Sequence, residues 1–341
     1  MSPQVHQQLK YSLLATFHYF DILGLAPSPF ELWRYWINPN RFGSLHVPQS
    51  AGTWSFFSGL LTALQSENLI MERGGFWRLK SAGGATRPRI ESAKQVDRKL
   101  KRAREIIRAL RGVPFLRTVF ISGSVALGHA KAHSDIDVLI VAQEGRIWLT
   151  RTLVTFVLGL RRMWRHDRLT RDRACLNHYI THEHLNIQHP SLYNAFTYAH
   201  LIPLWESAVL GPSPHGKSLL GKFYEANDWL KDYLFKKPEP AVCRWQVKDV
   251  GFTRRVRIFG ERLLGGWVGN RLEFALGGFQ RRRIKRDPRT TAPGGRVEVS
   301  EYALEFHPES QEVKILAAYN ERLWRHISDE LNVERDSGLS R

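Results

Sequence analysis

Two aspartates, separated by one residue, have the types and spacing to do chemistry. Asp135 and Asp137 stand at the start of an apolar run that ends at Val141, a pattern typical of a buried strand. Side chains on a strand alternate between its two faces, so both carboxylates point the same way. Neighbouring carboxylates repel each other unless a cation lies between them. The pair therefore predicts a site for a divalent metal ion.

A glycine and a serine lie upstream of these acids, after a predicted strand that covers Thr118 to Ser122. Gly123 lets the backbone come close to an anion. The amides of the turn and the Ser124 hydroxyl can donate hydrogen bonds to phosphate oxygens. The turn therefore predicts phosphate binding. Three basic residues lie in the polar break before the acids: His129, Lys131 and His133. Their side chains either add positive charge near the phosphates or are solvated loop residues.

The order Gly123-Ser124, ten residues, then Asp135-Ile136-Asp137 resembles the signature of the nucleotidyltransferase superfamily that includes DNA polymerase beta. The wider sequence resembles a bacterial group that joins an N-terminal winged helix to a nucleotidyltransferase domain. This resemblance implies transfer of a nucleotidyl group from an NTP, with Mg²⁺ or Mn²⁺ as cofactor. It also implies that the two aspartates are catalytic metal ligands, and that Gly123, Ser124 and Lys131 contact the nucleotide. Stretches that carry the resemblance are 15–21, 122–137, 145–151 and 175–179.

The superfamily pattern includes a third carboxylate on a neighbouring strand, and this sequence departs from it. The best candidate strand, 174–181, contains Asn177 but no acid. An amide oxygen can coordinate a metal ion, but it brings no charge and accepts no proton. Asp172 before the strand and Glu183 after it are the alternative third ligands. If none reaches the metal, either the enzyme is weak or the domain only binds nucleotide. The alternative function is a non-catalytic nucleotide- or nucleic-acid-binding regulatory protein that retains the fold.

Two further groups of residues allow more than one interpretation. The even spacing of His178, His182 and His184, with His189 further on, suits either a zinc site or an ordinary polar surface. The basic run 281–286 either binds nucleic-acid phosphates or offsets the dipole at the end of a helix.

The order of elements predicts an α+β protein with a small mixed-sheet nucleotidyltransferase core. Three helices and a hairpin, at 8–23, 29–36, 53–65 and 69–79, have the order of a winged helix. Such a unit either binds DNA or serves as a packing module, and its third helix carries no Arg or Lys. We expect a winged-helix-like domain, the nucleotidyltransferase-like domain, a mainly helical region and a flexible tail, at 1–85, 86–210, 211–335 and 336–341.

The net charge of +18 favours anionic partners, which here are an NTP and an acceptor that is either nucleic acid or protein. Hydrophobic residues make up 43% of the chain, enough for buried cores. Two distant cysteines and a start without a signal-peptide pattern favour a cytoplasmic location. The longest apolar window, 147–160, is too short for a transmembrane segment.

Overall fold

The fold is seen in a computed structural model that describes residues 2–81, 89–166, 169–208, 218–240, 244–291, 295–307 and 310–338. The predicted boundaries at 85/86 and 210/211 lie outside these residues, as do positions 339–341 of the predicted tail.

The N-terminal region has the predicted order of three helices and a hairpin. Ser28 starts the second helix with a capping box, in which its side chain accepts from the Glu31 amide and Glu31 accepts from the Ser28 amide, an arrangement that satisfies two orphan donors. The elements are α1 (Pro3–Ile22), α2 (Pro29–Arg34), α3 (Trp54–Ser66), β1 (Ile70–Arg73) and β2 (Phe76–Leu79). Whether this region works as a winged helix stays a prediction.

A six-stranded mixed sheet forms the centre of the molecule, which confirms the α+β class. Its strands lie in the order β6-β3-β4-β5-β8-β7, with the β4–β5 pair parallel and the other pairs antiparallel. The strands are β3 (Leu116–Ile121), β4 (Ile136–Ala142), β5 (Ala174–Thr181), β6 (Ile202–Glu206), β7 (Arg296–Val299) and β8 (Ala303–His307).

Helices cover both faces of the sheet. On one face, α4 (Arg89–Leu110) and α6 (Ile147–Leu160) pack against Val119, Val138 and Ile140. On the other face, Phe120, Leu139, Val141 and Ile180 share one core with the N-terminal helices and with α7 (Leu192–Ala199) and α8 (Leu219–Ala226). The N-terminal region is therefore part of the packing that supports the sheet.

The sequence pattern of 193–205 predicts a single helix, but the structure ends α7 at Ala199 and begins β6 at Ile202. Pro203 has no amide hydrogen to donate and disfavours a helical conformation in the residue before it. Because β6 is an edge strand, it tolerates a proline that a central strand would not.

The C-terminal region is mostly helical, and β7 and β8 join it to the sheet. The sequence pattern of 252–279 predicts one long or broken helix, and the structure breaks it at Gly265-Gly266. The final helix extends to Gly338, into the predicted tail. None of the helices in the described ranges is both long and apolar enough to cross a bilayer. The helices are α9 (Leu230–Tyr233), α10 (Gly251–Leu264), α11 (Trp267–Arg286) and α12 (Glu312–Gly338).

Candidate nucleotide and metal site

The structure brings the two predicted acids together at the start of β4. Asp135 precedes the strand directly and Asp137 is its second residue, so both carboxylates point to the face of the sheet that carries Leu139 and Val141. One ligand atom each from Asp135, Asp137 and Cys175 lies within 4.8 Å of the other two. The predicted acids are therefore neighbours, and the third group beside them is a thiol.

Gly123 fits tightly against Asp137. The Gly123 φ angle is +62°, and a Cβ atom added there would lie 2.2 Å from Asp137 Oδ2. The Ser122 amide also donates to the Asp137 carbonyl at 3.1 Å, which holds the end of β3 against the start of β4. Glycine is required here for its backbone conformation and for the space that the carboxylate takes.

Ser124 and Lys131 lie along the segment that links Gly123 to the acids. Ser124 is half-buried in the single helical turn α5 (Gly123–Ala126), and its carbonyl accepts from the His129 amide at 3.0 Å. Lys131 donates its backbone amide to Ser134 Oγ at 3.0 Å, while its side chain is exposed. The turn is thus a fixed structure, and Lys131 extends from the loop that follows it.

Cys175 lies on the neighbouring strand β5, the strand on which the resemblance to the superfamily implies a third acid. It is the partner of Asp137 in the parallel β4–β5 register. Burial raises the pKa of its thiol, and the charges of Asp137 and Asp135 raise it further. The thiol therefore stays protonated at neutral pH and supplies no negative charge. Because Cys175 is not an acid, a sequence comparison that considers only carboxylates as metal ligands misses this position.

Arg165 is the second residue of the site that the sequence did not reveal. Its Nη1 atom donates to Asp135 Oδ2 at 2.6 Å and to Cys175 Sγ at 3.3 Å. The Arg165 amide donates to the Ala174 carbonyl at 3.0 Å, which anchors the residue beside the start of β5. A guanidinium therefore already neutralises part of the charge of the acids.

Asp137 carries a carboxyl group with an unusual proton affinity. Part of its surface is open, but protein atoms surround the carboxyl closely, and this burial raises its pKa to about 7. The Asp135 carboxylate adds to the rise, while Arg165 and the Cys175 thiol oppose it. A buried carboxylate with a raised pKa gains from a nearby cation.

We expect the Asp137→Asn variant to become more stable relative to the wild type as the pH rises from 5 to 8. In the unfolded chain an aspartate titrates near pH 4, so the folded state binds the extra proton between about pH 4 and 7. The wild type therefore loses this stabilisation progressively as the pH rises from about 4 to 7, whereas asparagine has none to lose. Thermal unfolding in EDTA should show a relative gain on the order of 2 °C. A pH-independent difference would contradict this.

Asp172 lies in a structural ion pair with a buried lysine. Lys99 of α4 donates from Nζ to Asp172 Oδ1 at 2.9 Å and to the Ser134 carbonyl at 2.5 Å. Burial raises the pKa of Asp172, but the hydrogen bond and the charge of Lys99 outweigh it, so that the pKa is lowered. The Asp172 amide donates to Ser134 at 3.3 Å. The pair therefore fixes the loop that leads into Asp135.

Asp172→Asn should lower the free energy of unfolding by about 2 kcal/mol, because Lys99 stays buried without its charged partner. Mn²⁺ binding by the folded protein should not change. Urea unfolding measures the first quantity, and Asp97→Asn, which removes a more exposed pair with Lys101, is the control with an expected loss below about 0.5 kcal/mol. Unchanged stability together with lost Mn²⁺ binding would make Asp172 a metal ligand instead.

The other two proposed third ligands, Asn177 and Glu183, have contacts of their own. Asn177 Nδ2 lies 3.2 Å from His307 Nδ1. Glu183 follows β5 at the end where Thr181 pairs with Ala142, opposite to the end that holds Asp137. Its carboxylate lies 3.7 Å from His182 Nε2 and is mostly exposed. Among the described residues, neither Asp172 nor Glu183 completes a three-ligand group with the two aspartates.

The histidines of the sequence pattern are divided between different surroundings. His184 stacks on Tyr302, whereas His178 is buried and lies within 4.8 Å, ligand atom to ligand atom, of Glu305 and His307. Burial lowers the pKa of His178 to about 3 and that of His307 to about 4, so both are neutral. Arg296 already donates to Glu305 at 2.9 Å, which accounts for this cluster as a satisfied polar network.

A cavity of about 890 Å³ opens beside the site. Arg165 and Cys175 form part of its wall, so the cavity reaches the residues that contact Asp135. The remainder of the wall combines aromatic and cationic side chains from α6, α11 and β8, which include Arg151, Phe156, Phe279, Arg283 and Phe306. The Arg283 charge lowers the pKa of Arg151, after the larger effect of burial.

Residues 100–183 match the family model described as a nucleotidyltransferase domain. The match includes the glycine turn, both aspartates and Cys175, and it confirms for this segment the predicted membership of the nucleotidyltransferase superfamily. The chain therefore carries a domain of the class that transfers nucleotidyl groups. Comparison with curated proteins gave no match. Comparison with solved structures gave none either.

Proposed function

We propose that this protein transfers a nucleotidyl group from an NTP to an acceptor, with Mg²⁺ or Mn²⁺ held by Asp135 and Asp137. One observation carries the proposal: within a nucleotidyltransferase domain, two carboxylates share a strand face and Asp137 lies against Gly123, which has no side chain. The raised pKa of Asp137 supports it, because a cation would relieve the cost of the charged form.

The donor set fits one hard divalent cation. Mg²⁺ prefers oxygen ligands and is commonly held by one or two carboxylates together with substrate phosphates. Asp135 and Asp137 supply such oxygens, whereas the protonated Cys175 thiol does not. When bound, the ion would neutralise phosphate charge and lower the pKa of an acceptor hydroxyl.

Hydrogen-bond donors and cations of the chain itself would contact the nucleotide. Gly123 lets backbone amides approach the phosphates, and Ser124 adds a hydroxyl donor. Arg165 is fixed beside Asp135, where its guanidinium can stabilise the charge of a departing pyrophosphate. Lys131 is exposed at the mouth of the same segment and can contribute a further positive charge.

We place the acceptor in the cavity that borders Arg165 and Cys175. Arg165, which donates to Asp135, forms part of its wall, and the cavity offers aromatic side chains together with Arg151 and Arg283. These groups suit an acceptor with an apolar part and a negative charge. The helices α6 and α11, and not the two aspartates, would then select the acceptor, because these helices supply about half of the residues that line the cavity.

Labelled NTPs test the proposal. The full chain is incubated with each of the four α-labelled NTPs and with Mg²⁺, Mn²⁺ or EDTA, and both pyrophosphate release and transfer of label are followed. We expect release with at least one NTP and none in EDTA. Release that persists in EDTA would contradict the proposed metal dependence.

A second function, nucleotide binding without transfer, is favoured by the thiol and guanidinium where a third acid is expected. In that case the protein would bind an NTP, as calorimetry would show, without pyrophosphate release under any of these conditions. Restoring the acid with Cys175→Asp would then be expected to raise metal affinity without any need for an acceptor.

A further inference from the structure

The outer face of α10 carries an apolar stripe that no other part of the described chain covers. Phe252, Val256, Phe259 and Leu263 recur at the spacing of one helical face, and their side chains are 45% to 75% exposed. Exposed apolar patches of this kind mark contact sites for proteins or membranes. The stripe therefore needs a partner.

The helix that carries this stripe is firmly attached by its opposite face. The guanidinium of Arg257 is buried, donates to Asp249 Oδ2 at 2.6 Å and lies over the Trp205 ring. A Cβ at Gly260 would lie 2.4 Å from Pro114, so the helix packs closely there. The stripe thus points outward from a fixed helix.

The exposed surface of α10 and α11 carries cations but no acids. Both acids of these helices face inward: Glu261 accepts from the Phe115 amide at 2.9 Å, and Glu273 accepts from the Trp148 and Leu149 amides. The exposed charged side chains of the two helices are all cationic: Arg254, Arg255, Arg262, Arg271, Arg282, Arg283, Lys285 and Arg286.

Cations lie directly beside the apolar stripe. Arg255 and Arg262 follow Phe252 and Phe259 by three residues each, which places them next to the stripe on the helix surface. The following helix, α11, adds Trp267, 73% exposed, and further cations. Helix α10 thus has Phe and Leu on one face, arginines beside them and a low mean hydropathy. Helices that lie in a membrane interface have this composition.

We propose that α10 and the start of α11 dock this protein onto the surface of a membrane containing anionic phospholipid. The apolar stripe would enter the boundary between headgroups and acyl chains, while Arg255 and Arg262 meet the phosphates. Val256 and Leu263 favour lipid over nucleic acid, because aliphatic side chains do not stack on bases as aromatic ones do. The positive outer charge selects an anionic surface.

Vesicle co-sedimentation of the full chain tests this docking without any nucleotide, so its result is independent of the proposed transfer activity. Vesicles consist of phosphatidylcholine alone or of phosphatidylcholine mixed with phosphatidylglycerol. We expect binding to the mixed vesicles to weaken roughly 30-fold in the Phe252→Ser/Phe259→Ser variant, and by a similar factor in Arg255→Gln/Arg262→Gln. Phosphatidylcholine alone should bind much more weakly.

Matched controls change similar residues elsewhere. Ile90→Gln removes a comparably exposed apolar side chain from α4, and Lys94→Gln/Arg108→Gln removes two exposed charges from the same helix. Both should bind vesicles as the wild type does. Circular dichroism establishes that every variant is folded, as expected for exposed positions.

Four outcomes would overturn the proposal. The wild type could fail to bind mixed vesicles, or the stripe variant could bind them as well as the wild type. Light scattering could instead show a dimer that Phe252→Ser/Phe259→Ser dissociates, with no vesicle binding, which would make the stripe a contact between two copies. Binding of single-stranded RNA that the same variant abolishes, again without vesicle binding, would make it a nucleic-acid surface.

Discussion

Replacing Asp135 or Asp137 by asparagine is expected to lower the rate of nucleotidyl transfer on the order of 10³-fold. Either change removes one of the two carboxylates that share one face of β4. The remaining acid supplies only half of the negative charge that would hold a divalent ion. Asparagine retains the size of the side chain, so the loss should appear without general unfolding. Pyrophosphate release under single-turnover conditions measures the effect.

The control for these variants is Asp97→Asn, which removes a carboxylate on α4 that pairs with Lys101. Its transfer rate should match that of the wild type within about twofold, as for surface changes outside the site. If both site variants transferred label as fast as the wild type, the two aspartates would not be catalytic metal ligands.

Gly123→Ala is expected to reduce transfer on the order of 10²-fold and to lower the free energy of unfolding by about 1–3 kcal/mol. Two effects combine at this position. The φ of +62° strains any residue with a Cβ, and that Cβ would meet the Asp137 carboxylate at 2.2 Å. The carboxylate would have to move, which takes it from the place that its partners define.

Gly145→Ala separates the two effects. Gly145 has a similar φ of +66°, but no atom lies within 4 Å of a Cβ added there. This variant should therefore show the strain alone, a loss of about 1 kcal/mol, with normal transfer. Equal transfer rates for Gly123→Ala and Gly145→Ala would mean that the contact with Asp137 has no role in the site.

Local patterns made much of the fold predictable. The N-terminal helices and the hairpin follow from apolar spacing, from the Ser28 cap and from paired glycines, all of which act over a few residues. The acids and Gly123 were predictable for a similar reason. These residues lie close together in the sequence, between or at the ends of two strands, β3 and β4, that pair directly with each other.

The other residues of the site could not be predicted from the sequence, because they reach the acids through contacts between distant segments. Cys175 becomes the neighbour of Asp137 only through the parallel register of β4 and β5, and a sequence does not show a register. Arg165 reaches Asp135 from a segment that reads only as basic. The strands β7 and β8 likewise join the sheet from more than a hundred residues away along the chain, where no local signal points to β5.

Helix α11 contributes residues both to the proposed acceptor site and to the proposed membrane surface. Its residues Phe279, Gln280 and Arg283 line the cavity that borders Arg165 and Cys175, and Trp267 at its start follows Leu263, the last residue of the apolar stripe, by four residues. The proposed acceptor site and the proposed membrane surface therefore share one rigid element. The separate assays above test the two proposals independently.

We propose that Asp135 and Asp137 hold a divalent ion together with the phosphates of an NTP. Electron paramagnetic resonance of Mn²⁺, titrated into the full chain with and without ATP, measures this most directly. We predict Mn²⁺ binding that ATP strengthens, and at least a tenfold weaker affinity in Asp137→Asn, on the order expected for a lost ligand. Equal Mn²⁺ affinity in the wild type and in Asp137→Asn, with ATP present, would contradict the claim.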